Sequence, residues 1–292
     1  MFFEITKGID FESNNLGHYY ASLKPFRNWE VEPLEIQAQA AVSVEISQNG
    51  EKKFLYAKNQ EEILAIASLT KLMTAYLAIN NYDLNQEVII SEKAATINGK
   101  INYFRAGERF YLKDLLYPLL MESSNEVAQA IAEIKSEGEF IQLMNEQAQK
   151  WGLENTRFFN AHGLDPFEQA NYFKINYSNA DDLAILTWQV LKGPLIKQIF
   201  LTQDFKLYNA KGIFHHLAKN NNELLDNSEQ AFWQKNILAG KTGWTLRANG
   251  CLIIALDNPK NQSQIINVIL GSEDRFEEIK KLIDWIYNAY RW

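Results

Sequence analysis

The chain has 292 residues, 47% of them apolar and 13% aromatic, which is long enough for one large domain and too apolar for a disordered chain. A formal net charge of −7 argues against a nucleic-acid partner, because phosphate binding requires a basic surface. Cys251 is the single cysteine, which excludes an intrachain disulfide and a cysteine-based metal site.

The first 35 residues predict no regular structure and no export signal. Residues 1–4 (MFFE) lack a basic segment, and no apolar segment follows them. No window approaches the roughly 18 apolar residues of a membrane-spanning helix. We interpret residues 1–35, with breakers at Pro25 and Pro33, as an irregular N-terminal extension. Either the protein is cytosolic, or an export segment has been removed from this chain.

A β-hairpin and a helix are predicted after this extension. The apolar segment Ala40–Ile46 and residues 53–57 are predicted to be two strands, with Asn49-Gly50 as the turn between them. A helix begins near Ser68, because the residues that follow place an apolar face at helical spacing: Leu69, Leu72, Met73, Tyr76 and Leu77.

Helical periodicity dominates residues 82–200. It is clearest at three segments, 114–120, 126–134 and 181–191, the last with Ser178 as a candidate N-terminal cap.

The period changes near Lys235. Three strands are predicted, at 237–241, 250–256 and 264–270, with a turn at Asn258-Pro259 and Asn261. Residues 273–290 form a closing amphipathic helix. Strands at both ends and helices between them indicate an α+β fold. We expect an antiparallel sheet built from both chain ends and flanked by helices, with a mainly helical subdomain inserted at about 82–200. Residues 36–292 would form this domain.

The first motif with chemical content is Ser68-Leu69-Thr70-Lys71. A serine hydroxyl needs a base to act as a nucleophile, and positions i and i+3 of a helix place Ser68 and Lys71 within reach of each other. Lysine can be that base only if burial or a second cation, such as Lys241, lowers its pKa. The alternative interpretation is a helix cap followed by a solvated lysine.

Two further triplets follow. Ser123-Ser124-Asn125 could relay a proton through Ser123 and hold a substrate amide or Lys71 through Asn125; the alternative is a helix N-cap before Glu126. Lys241-Thr242-Gly243 could bind a substrate carboxylate, with Gly243 allowing close approach of a substrate strand. The alternative for this triplet is an edge strand with an outward-pointing lysine.

With its surroundings, this order of motifs closely resembles the serine D-alanyl-D-alanine carboxypeptidases, the low-molecular-mass penicillin-binding proteins of the SxxK acyltransferase family. The resemblance runs from about residue 35 to the C-terminus. It rests on six segments besides the Ser123 triplet: 66–75 around Ser68, 105–117, 155–165 with His162-Gly163-Leu164-Asp165, 177–184, 240–245 and 268–271.

The resemblance implies a role for each motif residue. Ser68 would be the acylated nucleophile and Lys71 the general base, while Ser123 would relay a proton. The backbone N–H groups of Ser68 and Trp244 would form the oxyanion hole. The remaining substrate-binding residues would be Asn125, Lys241, Thr242, Gly243, Trp244, Thr245 and Arg275. For Arg275, which would bind the terminal carboxylate, the alternative is a surface arginine beside acidic neighbours.

The sequence also departs from the family pattern. Ser124 stands where glycine is common, and Trp244 stands where smaller or polar residues are frequent. A second C-terminal β domain and an amphipathic membrane anchor, found in many relatives, would be missing after Trp292. Because the family is exported, we expect a location in the periplasm or on the outer face of the cytoplasmic membrane, with the signal segment trimmed.

The function that the resemblance implies is a serine peptidase of cell-wall biosynthesis and cell shape. It would remove the terminal D-alanine from peptidoglycan stem peptides through an acyl-enzyme, and β-lactams would acylate the same serine. A DD-endopeptidase that cleaves crosslinks remains open. So does a β-lactamase or esterase, although no Glu-x-x-Leu-Asn segment lies between 140 and 180. A catalytically silent wall-binding protein is the third alternative.

No cofactor, metal or nucleic acid is implied. His18, His215 and His216 lack metal-ligand spacing, and His162 is expected to stabilise its loop by hydrogen bonding. An aromatic cluster near the C-terminus is interpreted as helix packing, with peripheral membrane association as the alternative: Trp285, Tyr287, Tyr290 and Trp292.

Overall fold

The computed structural model describes residues 25–97, 103–166, 173–225, 231–258 and 260–292. Residues 1–24 of the predicted extension, including His18, lie outside these ranges, as does Pro259 of the predicted turn. Between 25 and 35 the chain is irregular apart from one short strand, Phe26–Arg27.

In chain order, the strands are β1 (Phe26–Arg27), β2 (Ala40–Ile46), β3 (Lys52–Lys58), β4 (Leu64–Ala65), β5 (Glu87–Ile89), β6 (Arg109–Tyr111), β7 (Tyr177–Ser178), β8 (Asp204–Tyr208), β9 (Phe214–Lys219), β10 (Ile237–Thr245), β11 (Asn249–Asp257), β12 (Gln264–Ser272) and β13 (Tyr290–Arg291). The α-helices are α1 (Lys71–Asn81), α2 (Glu92–Ala95), α3 (Leu112–Met121), α4 (Asn125–Ala132), α5 (Glu137–Lys150), α6 (Ala180–Val190), α7 (Pro194–Leu201) and α8 (Arg275–Ala289). A 3₁₀ turn, Ala67–Thr70, leads into α1, and two more lie at Glu223–Leu225 and Gln234–Asn236.

The main sheet is antiparallel and has the order β10-β11-β12-β2-β3. Its centre is the pairing of β12 with β2, in which Val268 lies opposite Val42. Strands from the two ends of the domain therefore form one sheet, as the sequence predicts, and the fold is α+β.

Both faces of the sheet are buried, and the side chains alternate between two cores. On β11, Ile253 packs in the core on the side of α1 and α6, whereas Leu252 and Ile254 pack against α8. This alternation with a period of two is what a strand between two helical layers requires. The sheet is consequently held rigidly between helices, and its β10 edge is a stable wall for a site.

The segment between β3 and β10 contains α1 to α7, the antiparallel strand pairs β4–β7 and β5–β6, and the β8–β9 hairpin. The helices predicted at 114–120, 126–134 and 181–191 are present with shifted ends. Helix α5 and the β8–β9 hairpin add elements that the sequence interpretation did not name.

One predicted cap is wrong. The N-cap of α6 is Asn179, whose side chain accepts a hydrogen bond from the Asp182 backbone N–H. Ser178 instead ends β7, and its hydroxyl contacts Thr156 Oγ1 at 2.7 Å. Asparagine and serine are nearly equal as caps, so the preference alone could not separate neighbours.

Across the described ranges, the helices are all too short or too polar to cross a bilayer.

Candidate active site

Ser68 lies in a 3₁₀ turn that is tightly enclosed by two other segments of the chain. Each of these segments has a glycine at the point of contact. A Cβ on Gly243 of β10 would lie 3.2 Å from the Ser68 backbone nitrogen. A Cβ on Gly163 would lie 1.9 Å from the Ala67 carbonyl oxygen. The close approach that Gly243 permits is therefore made by the protein's own nucleophile turn, whereas the sequence interpretation assigned that contact to a substrate strand.

The backbone of this turn is strained at one residue. Ala67 has φ +46°, a left-handed conformation that costs a non-glycine residue about 1–2 kcal/mol. Its carbonyl accepts a hydrogen bond from Thr70 Oγ1 at 2.8 Å, and Asn176 Nδ2 donates to the same hydroxyl at 2.9 Å. These buried contacts hold the turn in place.

Lys71 is completely buried and its amino group meets three oxygen atoms. Nζ lies 2.9 Å from Ser68 Oγ, 2.7 Å from Asn125 Oδ1 and 2.6 Å from the His162 carbonyl oxygen. Burial lowers the pKa of Lys71 well below its usual value, the cation of Lys241 lowers it further, and the carboxylate of Glu126 acts against both. The lysine is therefore not the solvated side chain of the alternative interpretation.

The Ser123 triplet combines a helix cap with contacts to both buried lysines. Ser124 is the N-cap of α4, with its hydroxyl accepting from the Val127 N–H at 3.1 Å, and the cap leaves Asn125 at the first position, facing Lys71. Ser123 itself has φ +61°. Its hydroxyl accepts a hydrogen bond of 2.8 Å from Lys241 Nζ.

Lys241 points into the protein although β10 is an edge strand. Only 1% of the residue is exposed, and Nζ also donates to the Thr242 carbonyl at 2.9 Å. Burial, assisted by the charge of Arg275, lowers the pKa of Lys241 to about 7. Two lysines of depressed pKa therefore occupy one site, and each contacts a serine hydroxyl.

The remaining predicted residues line the same side of the site. Thr242 Oγ1 donates to Asn221 Oδ1 at 3.0 Å, and Thr245 Oγ1 donates to Asp165 Oδ1 at 3.1 Å. Trp244 is 48% exposed, at the outer end of β10. Arg275 begins α8, and its charge lowers the pKa of Lys241.

Several contributors to the site were missed from the sequence. The His162 carbonyl binds Lys71, while the His162 ring accepts at Nδ1 from the Leu164 N–H and is held neutral, its pKa lowered to about 3 mainly by burial. Glu126 is buried, with Oε2 accepting from Ser124 Oγ at 2.9 Å and its pKa raised by burial. A backbone carbonyl carries no signal in the residue type, and Glu126 has the sequence position of an ordinary acidic first-turn residue.

The arrangement can perform acyl transfer. A nucleophilic hydroxyl, a lysine suited to be its base and a second hydroxyl–lysine pair meet in one buried centre, which is the geometry that covalent catalysis by serine needs.

A family model described as D-alanyl-D-alanine carboxypeptidase, Peptidase_S11, matches residues 27–274. The chain belongs to this family. Its match to the D-alanyl-D-alanine carboxypeptidase DacF of Bacillus subtilis is 30% identical and covers 87% of this chain and 63% of that protein. A D-alanyl-D-alanine endopeptidase of Pseudomonas aeruginosa is 29% identical, over 87% of this chain and 79% of that protein.

A solved structure supports the same fold for this D-alanyl-D-alanine carboxypeptidase family member. Penicillin-binding protein D2 of Listeria monocytogenes, in its ampicillin-bound form, aligns with a TM-score of 0.69 and 25% identity. The alignment covers 88% of this chain and 100% of that one. The chain spans less than two thirds of the length of DacF. Membership of the family therefore does not by itself give this chain the activity of the whole DacF protein.

Proposed function

We propose that this chain is a serine DD-peptidase that removes the terminal D-alanine from peptidoglycan stem peptides. The observation that carries the proposal is the buried Lys71 amino group, 2.9 Å from Ser68 Oγ, with its pKa depressed. A neutral lysine beside a serine hydroxyl is a general base in position. Membership of the D-alanyl-D-alanine carboxypeptidase family supplies the substrate class.

The three contacts of Lys71 explain how its lone pair is directed. A neutral amine has two N–H donors and one lone pair. The Asn125 amide oxygen and the His162 carbonyl can only accept, so they take the two N–H groups at 2.7 and 2.6 Å. The lone pair is left facing Ser68 Oγ, the third neighbour, and receives the hydroxyl proton when Ser68 attacks the carbonyl.

Ser123 and Lys241 would serve the leaving group. As the bond from Ser68 Oγ to the carbonyl carbon forms, negative charge develops on the carbonyl oxygen, which the N–H groups of Ser68 and Trp244 would stabilise. The C–N bond then breaks, and the departing amine takes a proton relayed through Ser123 Oγ from Lys241, 2.8 Å away. Water then hydrolyses the ester, a proton from this water restores the Ser68 hydroxyl, and the proton that Lys71 accepted returns through water to Lys241.

The positive side of the site suits a substrate that ends in a carboxylate. Lys241 and Arg275 are close enough for the arginine to lower the lysine's pKa, and the Thr242 hydroxyl lies on the same strand. Buried cations are costly unless an anion joins them, so a terminal carboxylate would relieve this repulsion. Gly243 has no side chain to extend from β10 into the site, and Trp244 and Thr245 would line the entrance of the site.

The partners follow from the same chemistry. A β-lactam presents a strained amide and a carboxylate, and we propose that it acylates Ser68; the ampicillin-bound structure of the Listeria relative supports this. We further propose that the protein works at the cell wall after export, and that residues 36–292 form the catalytic domain.

Endopeptidase action is the second candidate, favoured by one observation. The Pseudomonas relative, of which the match covers 79%, is named an endopeptidase. The two activities differ in which residue leaves after the bond breaks. Mass spectrometry of purified muropeptides after incubation separates them, because a carboxypeptidase removes D-alanine and an endopeptidase removes the crosslink.

The decisive experiment is covalent labelling with a fluorescent penicillin. We expect one label per chain, located on Ser68 by peptide mass spectrometry, and no label on Ser68→Ala. Ser47→Ala, at a serine in the β2–β3 turn, should label as the unmodified protein does. Labelling that survives Ser68→Ala contradicts the proposal, absence of any label indicates a silent protein, and rapid release of hydrolysed penicillin indicates a β-lactamase.

A further inference from the structure

A second group of titratable side chains lies beside the site, where β9 packs on α3. His216 Nε2 is 2.9 Å from Glu122 Oε2, the two histidine Nδ1 atoms are 2.6 Å apart, and His215 Nε2 is 3.3 Å from Glu108 Oε2. The four side chains form a row, Glu108–His215–His216–Glu122. Within the described ranges no group of this kind is arranged to hold a metal ion.

Aromatic rings shelter the row from water. The Tyr103 ring stacks on His216 with centroids 4.6 Å apart, and the Phe104 ring stacks on His215 at 5.0 Å. The imidazole contacts are therefore formed in a partly dry environment, where an unpaired hydrogen-bonding group is costly.

The contacts with the carboxylates fix which atoms donate. Each Nε2 faces a carboxylate, which only accepts, so each Nε2 donates its proton to that carboxylate. The two Nδ1 atoms lie within hydrogen-bonding distance of each other, which links the two histidines.

Glu122 connects this row to the proposed catalytic machinery because it directly precedes Ser123. Its Oε1 also accepts from the Lys219 N–H at 3.4 Å. Ser123 has φ +61°, and a non-glycine residue keeps such a conformation only where its surroundings hold it. On one side Ser124 is held by the α4 cap; on the other side Glu122 is held by β9.

The same end of β9 reaches the third motif. The Asn221 N–H donates to the Met121 carbonyl at 3.0 Å, and Asn221 Oδ1 accepts from Thr242 Oγ1 at 3.0 Å. The hairpin thus joins the residues around Ser123 to those around Lys241, and displacement of β9 would move both relative to Ser68.

We propose that His216 is a positioning residue for Ser123, acting through Glu122, and that loss of its hydrogen bond to Glu122 slows acylation of Ser68. The proposal rests on the proposed function for its readout. Without the Nε2–H donor of His216, the Glu122 carboxylate loses a partner 2.9 Å away, and the residue before Ser123 loses its side-chain contact with His216 of β9.

The experiment measures the rate of acylation by fluorescent penicillin at pH 7.5 for the intact chain, His216→Ala and His216→Gln. His216→Ala should be roughly tenfold slower, since a hydrogen bond to a carboxylate is lost. His216→Gln, whose amide N–H can reach Glu122, should recover most of the rate.

Two controls separate positioning from loss of fold. Lys206→Ala, an exposed lysine on the same hairpin, should leave the rate unchanged. Glu122→Gln should make the His216→Ala change ineffective if the action passes through Glu122. A rate in His216→Gln that is no higher than in His216→Ala, or His216→Ala acylating at the unmodified rate, overturns the inference alone. An unmodified chain that takes no label overturns the proposed function and this inference with it.

Discussion

Lys71 and Lys241 are both buried, yet the structure assigns them different neighbours. Lys71 faces two acceptors and one hydroxyl, and its pKa is lowered by burial and by the charge of Lys241. Lys241 faces one hydroxyl and one carbonyl, and its pKa falls to about 7 through burial and Arg275. The two protonation equilibria are coupled, and the charge of Lys241 helps to keep Lys71 neutral.

Removing the charge of Lys241 should move the pH profile of acylation. Lys71 acts as a base only when neutral, so the rate rises with pH through its pKa. Lys241→Ala deletes a neighbouring cation, and we expect the rising limb to shift to higher pH by about one unit. Acylation by fluorescent penicillin, measured across pH 5 to 9.5, tests this.

Lys241→Arg is the matched control because it keeps the charge. Both variants should be slower overall, since Ser123 loses its partner or gains an ill-fitting one. The electrostatic role of Lys241 is tested only by the pH at which the acylation rate rises. If that pH is the same in Lys241→Ala as in the unmodified chain, the charge of Lys241 does not lower the pKa of Lys71.

At the scale of elements, the site depends on how closely three separate segments approach. The loop that carries Gly163 lies against the Ala67 carbonyl, and β10 at Gly243 lies against the Ser68 nitrogen. The turn between them has no room to relax, which fixes Ser68 relative to Lys71. Glycine is needed at these positions for space, and at Gly163 also for its φ of +85°.

Gly163→Ala and Gly152→Ala separate these two requirements. Gly152 has φ +71°, but an added Cβ would meet nothing within 4 Å, so alanine there adds backbone strain of about 1–2 kcal/mol and should leave acylation unchanged. Gly163→Ala adds the same strain and a methyl group 1.9 Å from the Ala67 oxygen. We expect a greater loss of stability in urea unfolding and at least about a tenfold loss of acylation rate.

Equal acylation rates in the two variants would show that the loop does not control the nucleophile turn. Urea unfolding should be measured for both variants. Both contain the backbone strain but only Gly163→Ala contains the steric clash, so the difference between their stabilities reports the clash.

Much of this element pattern was predictable from residue type and period. The strands of the main sheet follow from apolar runs such as Ala40–Ile46, and the helices from apolar spacing. The β8–β9 hairpin was missed although Phe205 and Leu207 alternate with polar residues before a turn at Gly212, which is a readable strand signal. Its amphipathic strands are short, and helical segments precede it.

The sequence predicted the motif side chains of the site, but it did not predict the groups that surround them. The serines and lysines of the three motifs belong to types with recognisable chemistry. The His162 carbonyl, the burial of Glu126 and the row at His215 depend on tertiary contacts between segments far apart in sequence. Residue type carries no information about those contacts.

At the scale of the whole molecule, buried ionisable groups make folding depend on pH. Lys241 binds a proton in the unfolded chain up to about pH 10.5 but in the folded chain only up to about 7. Between these values the unfolded chain binds more protons, so the free energy of unfolding rises with pH. Cys251, its pKa raised by burial from 9.0 to about 12, acts in the opposite direction above pH 9.

We therefore expect stability to increase from pH 7 to 9, by about 1.4 kcal/mol per pH unit from Lys241 alone. Urea unfolding at several pH values measures the slope. Lys241→Met, which cannot titrate, should flatten it by that amount, whereas Lys206→Met on the exposed face of β8 should not. A slope that is the same in Lys241→Met and the unmodified chain would contradict the pKa assigned to Lys241.

The central pairing of β12 with β2 also determines when the main sheet can form during synthesis of the chain. A ribosome extends a chain from the N-terminus at about 5–20 residues per second. The apolar strand Ala40–Ile46 is therefore made roughly 10–45 s before its partner Gln264–Ser272 emerges. During that interval β2 can pair only with β3, and its other edge is open to any strand nearby. The main sheet can be completed only after the last tenth of the chain has been made, so β2 keeps one unpaired edge until then.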